Sequence, residues 1–112
     1  MKICDEMIKF REGLDKRKIR WKDDSTICPE EIIQMFKNNG FSDLESDITI
    51  YRTHFTYKDK HYSVVYGYGT YGGVRPFENP VDQGLLEMMV EDKITGWLTA
   101  DDIFEILDKE QV

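Results

Sequence analysis

Two runs of β-branched and aromatic residues, Ile48 to Tyr57 and Tyr62 to Tyr68, flank the polar turn Lys58-Asp59-Lys60, and no other feature constrains the fold as much. Val, Ile, Thr, Tyr and Phe suit a pleated, half-buried strand, and a short polar break between two such runs reverses the chain. The reading is an antiparallel hairpin over about 48–57 and 61–68. With Asp59 and Lys60 as a two-residue turn, Tyr57 faces Tyr62, Phe55 faces Val64, Thr53 faces Tyr66 and Tyr51 faces Tyr68. One face is then aromatic and apolar. The other carries Arg52, His54, Thr56 and Ser63, with Gly67 opposite Arg52.

The flanking segments supply elements to cover the apolar face. Ile3, Met7, Phe10 and Leu14 repeat at helical spacing, with Asp5 and Glu6 at the end where the helix dipole favours them, so a helix is expected over about 3–16. Gly13 weakens its last turns, and Ile19-Arg20-Trp21 alternates like a short strand. Cys28-Pro29 opens a second helix over about 29–39, closed by Asn39-Gly40, with Phe41 placed to fold back on Ile32, Ile33 and Phe36. Leu85 to Val90 reads as a strand paired with Ile94 to Leu98. Thr99 stands three residues before Asp102 and just ahead of Ile103, Phe104, Ile106 and Leu107, which marks a third helix over about 100–109. The expected fold is α+β, a single domain over 1–112, with an antiparallel sheet of three to four strands and helices packed on it.

At 112 residues with 40% hydrophobic and 12% aromatic content, the chain can hold a core without disulfides or metals. Cys4 and Cys28 form no Cys-x-x-Cys pair and have no histidine at ligand spacing, which argues against a zinc site; no metal and no cofactor is expected. No run approaches the roughly 20 apolar residues that span a bilayer, and Met1-Lys-Ile-Cys-Asp-Glu has no apolar core of a leader, so a cytoplasmic protein with no membrane partner is expected.

The net charge of -7 is unevenly spread: residues 1–60 hold 12 Lys+Arg and 12 Asp+Glu, while residues 61–112 hold 3 and 10. Lys16, Arg17, Lys18, Arg20 and Lys22 form one basic cluster in the first half, able to contact phosphate. The acidic second half argues against general nucleic-acid binding and suits either a basic protein partner or solubility alone.

The hairpin runs into Tyr66-Gly-Tyr-Gly-Thr-Tyr-Gly-Gly73, which opens a connection reaching Gly84 that is long for a compact domain. Gly67, Gly69 and Gly72 spell a dinucleotide or kinase glycine pattern. The dinucleotide version has to open a helix, which Gly73 to Pro80 forbids, and the kinase version needs a lysine strand and a catalytic loop that are absent. A weaker expectation survives, because glycines let amides approach an anion and tyrosines stack on a base or fill a partner's groove. The candidate ligand-binding residues are Arg52, His54, Tyr66, Tyr68, Thr70, Tyr71, Gly72 and Arg75. No catalytic residue is assigned: Cys28 has no base near it in sequence, His54 reads as an ordinary histidine on a polar hairpin face, and Asp101 and Asp102 are explained by helix capping.

The succession Ile50-Tyr-Arg-Thr-His-Phe55, Ser63-Val-Val-Tyr-Gly-Tyr-Gly-Thr-Tyr-Gly-Gly73, Gly84-Leu-Leu-Glu87 and Gly96-Trp-Leu-Thr-Ala-Asp-Asp102 resembles small accessory proteins of bacteriophages and mobile elements. That resemblance implies interference with bacterial immunity, by covering a nuclease or effector surface or by sequestering a nucleotide signal. The expectation is a non-enzymatic binder of a basic bacterial effector protein, the alternatives being capture of a phosphate-bearing small molecule or a small enzyme. Homo-oligomerisation is left open.

Overall fold

In the computed structural model, residues 3–26, 31, 34, 35, 38, 49–75 and 81–109 are described. Their elements run α1 (Asp5–Lys16), β1 (Trp21–Asp23), β2 (Ile50–Tyr57), β3 (Lys60–Gly67), β4 (Val74–Arg75), β5 (Val81–Asp82), β6 (Leu86–Val90), β7 (Lys93–Leu98) and α2 (Ala100–Lys109). The architecture is α+β. The helix expected over 29–39, with its glycine cap and Phe41, lies outside the described residues apart from Glu31, Gln34, Met35 and Asn38, which are helical.

The sheet is antiparallel and has five strands in the order β1-β2-β3-β6-β7, where three to four were expected; β4 and β5 pair separately. The extra strand arises because β1 adds to one side of the central hairpin while β6 and β7 add to the other. Strand β1 also begins at Trp21 and not at Ile19. The end of α1 explains this shift: the Lys18 amide donates to the Asp15 carbonyl at 3.0 Å and the Ile19 amide to the Leu14 carbonyl at 2.9 Å. This is the paired closure of a Schellman motif, and it removes Ile19 from any strand ladder.

The hairpin turn is Lys58-Asp59, one position earlier than expected, with both residues left-handed (φ 50° and 65°) as a type I′ turn requires. Moving the turn by one position shifts every partner by two, so Phe55 pairs with Tyr62, Thr53 with Val64, Arg52 with Val65, Tyr51 with Tyr66 and Ile50 with Gly67. The two faces keep their composition, because side chains alternate with period two. The observed register sets aromatic rings opposite each other. Phe55 and Tyr62 stack at 5.0 Å with an interplanar angle of 6°, and Tyr51 and Tyr66 at 6.4 Å. Such cross-strand pairs favour this register over one that opposes Phe55 to Val64.

Both complete helices cover the aromatic face. Met7, Phe10 and Leu14 of α1 and Ala100, Ile103 and Leu107 of α2 are buried against Phe55, Tyr62, Val64, Tyr66, Leu86, Met88 and Leu98. Phe10 sits between Phe55 and Phe104, at 5.7 and 5.2 Å. Each fully buried side chain of this size contributes about 1.5–3 kcal/mol. Gly13 has a packing role in α1: a Cβ there would collide with the Phe104 ring, so the glycine lets the helices approach. Arg11 ties α1 to the sheet margin, donating through Nε to Thr53 Oγ1 at 2.9 Å and pairing with Asp23. Among the described residues, no helix is long and apolar enough to cross a membrane.

Candidate functional site

The face of the sheet turned away from the helices is polar at one margin and apolar at the other. Strand pairing aligns Lys22 of β1, His54 of β2, Ser63 of β3, Met89 of β6 and Ile94 of β7 in one row across all five strands. At about 4.8 Å per strand, that row spans roughly 19 Å. The adjacent row runs Arg52, Val65, Glu87. His54 therefore stands near the basic margin, with Nδ1 3.0 Å from His61 Nε2 and Nε2 3.2 Å from Asp24 Oδ2. The two imidazoles stack at 5.1 Å.

The glycine loop folds over the far end of this face. Arg52, Tyr68 and Thr70 line one recess of about 220 Å³ with Ser63, Val65, Glu87 and Met89. Thr70 is held inside the loop, its hydroxyl donating to the Gly67 carbonyl at 2.9 Å and accepting from the Gly67 amide at 3.1 Å. Of the loop amides expected to approach an anion, those of Gly67 to Tyr71 and of Gly73 are engaged within the chain. Tyr68 donates to the Thr49 carbonyl, Gly69 to Val74, Thr70 to Gly67 and Gly73 to Thr70, while the Tyr71 amide donates to Glu87 Oε1 at 3.0 Å. The loop is a closed turn whose side chains, more than its backbone, are available to a ligand.

Tyr66 lies on the opposite face from Arg52 and His54, its ring fully buried and its hydroxyl donating to Asp82 Oδ2 at 2.6 Å. Burial, reinforced by that hydrogen bond, pushes its phenol well above the usual tyrosine range. Gly72 is buried at φ 101°, and a Cβ there would press on Leu85 and on the Trp97 backbone at 3.0 Å. Its carbonyl accepts the Leu85 amide at 2.8 Å, so it fastens the loop to the sheet. Arg75 places its backbone in β4, opposite Val81.

Tyr71 is a loop residue open to solvent, at 55%, and it does not stand alone. Its ring meets Trp97 at 5.5 Å, and its carbonyl accepts the Trp97 amide at 3.1 Å. Trp97 is 56% exposed and left-handed at φ 55°, within an irregularity where Gly96 and Trp97 of β7 face the single residue Glu87 of β6. A bulge of this kind re-aims the side chain it carries. Met89 and Ile94, paired across β6 and β7, are exposed beside it.

Sequence reading missed Trp97, Met89 and Ile94 as surface residues, since a strand of that length next to a helix reads as core. It also missed that the basic cluster 16–22 meets the histidines. Lys18, Arg20, Trp21 and Lys22 line a recess of about 610 Å³ together with His54, Thr56, Tyr57, Lys58 and His61. The alternating cations around Trp21 were the available signal. Among the described residues, no group of three or more His, Cys, Asp or Glu is placed to hold a metal. No family model, curated protein or solved structure matches the chain.

Proposed function

We propose that the chain is a small binding protein that occupies a surface of a basic effector protein, making contact through the Tyr71–Trp97 margin of its sheet. One observation carries this reading: an exposed tryptophan is held in a left-handed backbone conformation with its ring 5.5 Å from that of an exposed tyrosine, the two tilted at 34°. A large residue at positive φ costs about 1–2 kcal/mol, and such strain persists where surrounding structure enforces it, often at binding sites. Aromatic side chains of this kind are the usual anchors of protein interfaces.

The neighbours of the pair have interface character. Met89 and Ile94 extend the apolar strip, while Glu87, Glu91 and Asp92 give its surround negative charge that suits a basic partner. Arg52, Tyr68 and Thr70 adjoin it through the recess that also contains Glu87 and Met89. The resemblance to accessory proteins of bacteriophages and mobile elements makes bacterial defence effectors the first partners to test.

The test is the efficiency of phage plating on strains that each carry one defence system, with and without the chain expressed. The expected outcome is relief of at least one system, lost when Tyr71→Ala and Trp97→Ala are combined in a protein that remains folded. Relief of no system, or relief untouched by the double substitution, contradicts the reading.

A further inference from the structure

At the opposite margin of the sheet, a second feature concentrates positive charge on a chain whose net charge is -7. Strand β2 continues through Thr56 and Tyr57 past its last pair with β1, Trp21↔Phe55. The segment leaving α1 lies along that uncovered end, which creates the recess of about 610 Å³. Its lining brings together Lys18, Arg20, Lys22 and Lys58, with His54 and His61 at its side. No carboxylate among the described residues belongs to the lining. Among the described residues, no ion pair is formed by Lys18, Arg20 or Lys22, whereas the preceding cations Arg11 and Arg17 are matched by Asp23 and Asp108. Among the described residues, Asp15 accepts from Trp21 Nε1 at 2.9 Å and Asp24 lies 3.2 Å from His54 Nε2.

The backbone gives an independent reason to assign this cluster a role. Lys18 (φ 58°) occupies the left-handed position that closes α1, where glycine is the usual residue, and Lys58 (φ 50°) begins a type I′ turn that favours Asn or Gly. Both strained positions carry a lysine, and both lysines line the same recess. Trp21 beside them is fixed before any ligand arrives. The Arg11 guanidinium lies 4.8 Å from its ring centroid and Asp15 holds its indole nitrogen.

We propose that this recess binds the phosphate of a nucleotide-type small molecule, with Lys18, Arg20, Lys22 and Lys58 holding the anion and Trp21 offering a stacking surface. A volume of about 610 Å³ falls in the range typical of small-ligand sites. A long polyanion would meet the net negative charge of the rest of the molecule, which favours a compact phosphate over a nucleic-acid backbone. The recess lies across the sheet from the Tyr71–Trp97 margin, and the proposal does not depend on the reading given to that margin.

Isothermal titration with ATP, inorganic tripolyphosphate and adenosine separates the contributions of phosphate and base. The expected result is binding of ATP and tripolyphosphate but not adenosine, with affinity falling as salt rises. ATP should bind tighter than tripolyphosphate if Trp21 stacks on the base. Combining Arg20→Glu with Lys22→Glu should weaken ATP binding at least tenfold, while Trp97→Ala leaves it unchanged. Lys18→Gly should raise the unfolding midpoint and weaken ATP binding in the same protein, a split that a purely structural lysine would not produce. Three results overturn the proposal: no heat with any phosphate at millimolar concentration, undiminished affinity in the folded double variant, or a single-stranded oligonucleotide that outcompetes the mononucleotide.

Discussion

Left-handed residues other than glycine fall at both of the sites proposed for this chain. Lys18, Lys58, Asp59, Glu91 and Trp97 all have positive φ; two of them line the basic recess and one is the exposed tryptophan. Tyr66 is a contrasting residue, conspicuous in the sequence yet placed in the core with its hydroxyl on Asp82. Because burial and that hydrogen bond raise its folded-state pKa above the unfolded value near 10, its neutral form stabilises the fold. The contribution is complete below about pH 10 and is lost as pH rises towards the folded value. Tyr66→Phe should therefore cost about 1 kcal/mol at neutral pH, and the gap to the wild type should narrow above pH 10 in urea denaturation. Parallel stability curves across that range would show that the phenol is not linked to folding.

At the scale of elements, local chemistry was legible and its displacement by neighbours was not. The capping pattern at Thr99 is realised reciprocally, the Asp102 amide donating to Thr99 Oγ1 at 3.1 Å and the Thr99 amide to Asp102 Oδ2 at 3.0 Å. Hydrogen bonding of the carboxylate to the Thr99 backbone amide first, and to the Thr99 side chain second, holds the Asp102 carboxyl below its usual range. Thr99→Ala is expected to destabilise the protein by about 1 kcal/mol in chemical denaturation, and an effect near zero would mean the cap is replaced by water. The strand at 86–90 and its partner were readable for the same reason, since each is a short apolar run bounded by turn residues. Strand β1 was misplaced because the closure of α1 takes the Ile19 amide, a contact that alternation does not reveal. The hairpin register was missed because Lys58-Asp59 lacks the glycine or asparagine that usually announces a type I′ turn. Of the candidate site residues, Arg52, Tyr68 and Thr70 do meet in one recess, and Tyr71 is exposed. Trp97 was not legible, because only the bulge turns it outward.

Across the whole molecule, the charge asymmetry of the sequence becomes an asymmetry between the two margins of one sheet. Lys18, Arg20 and Lys22 gather at the β1–β2 margin, whereas Glu87, Glu91 and Asp92 belong to the β6–β7 hairpin. The helices close one face over the core, and on the other face the row from Lys22 to Ile94 joins these margins, exposed at Lys22, Met89 and Ile94 and buried at Ser63 between them. Protein contact is proposed for the aromatic margin and phosphate binding for the basic one, so each should be separable by substitution. Amide hydrogen exchange on the chain bound to the effector identified by plating tests this division most directly. Slowed exchange at Tyr71–Gly73 and Lys93–Leu98, with Trp21–Asp23 unchanged, is the predicted footprint. Protection confined to the β1 margin or to the outer surfaces of α1 and α2 would contradict it.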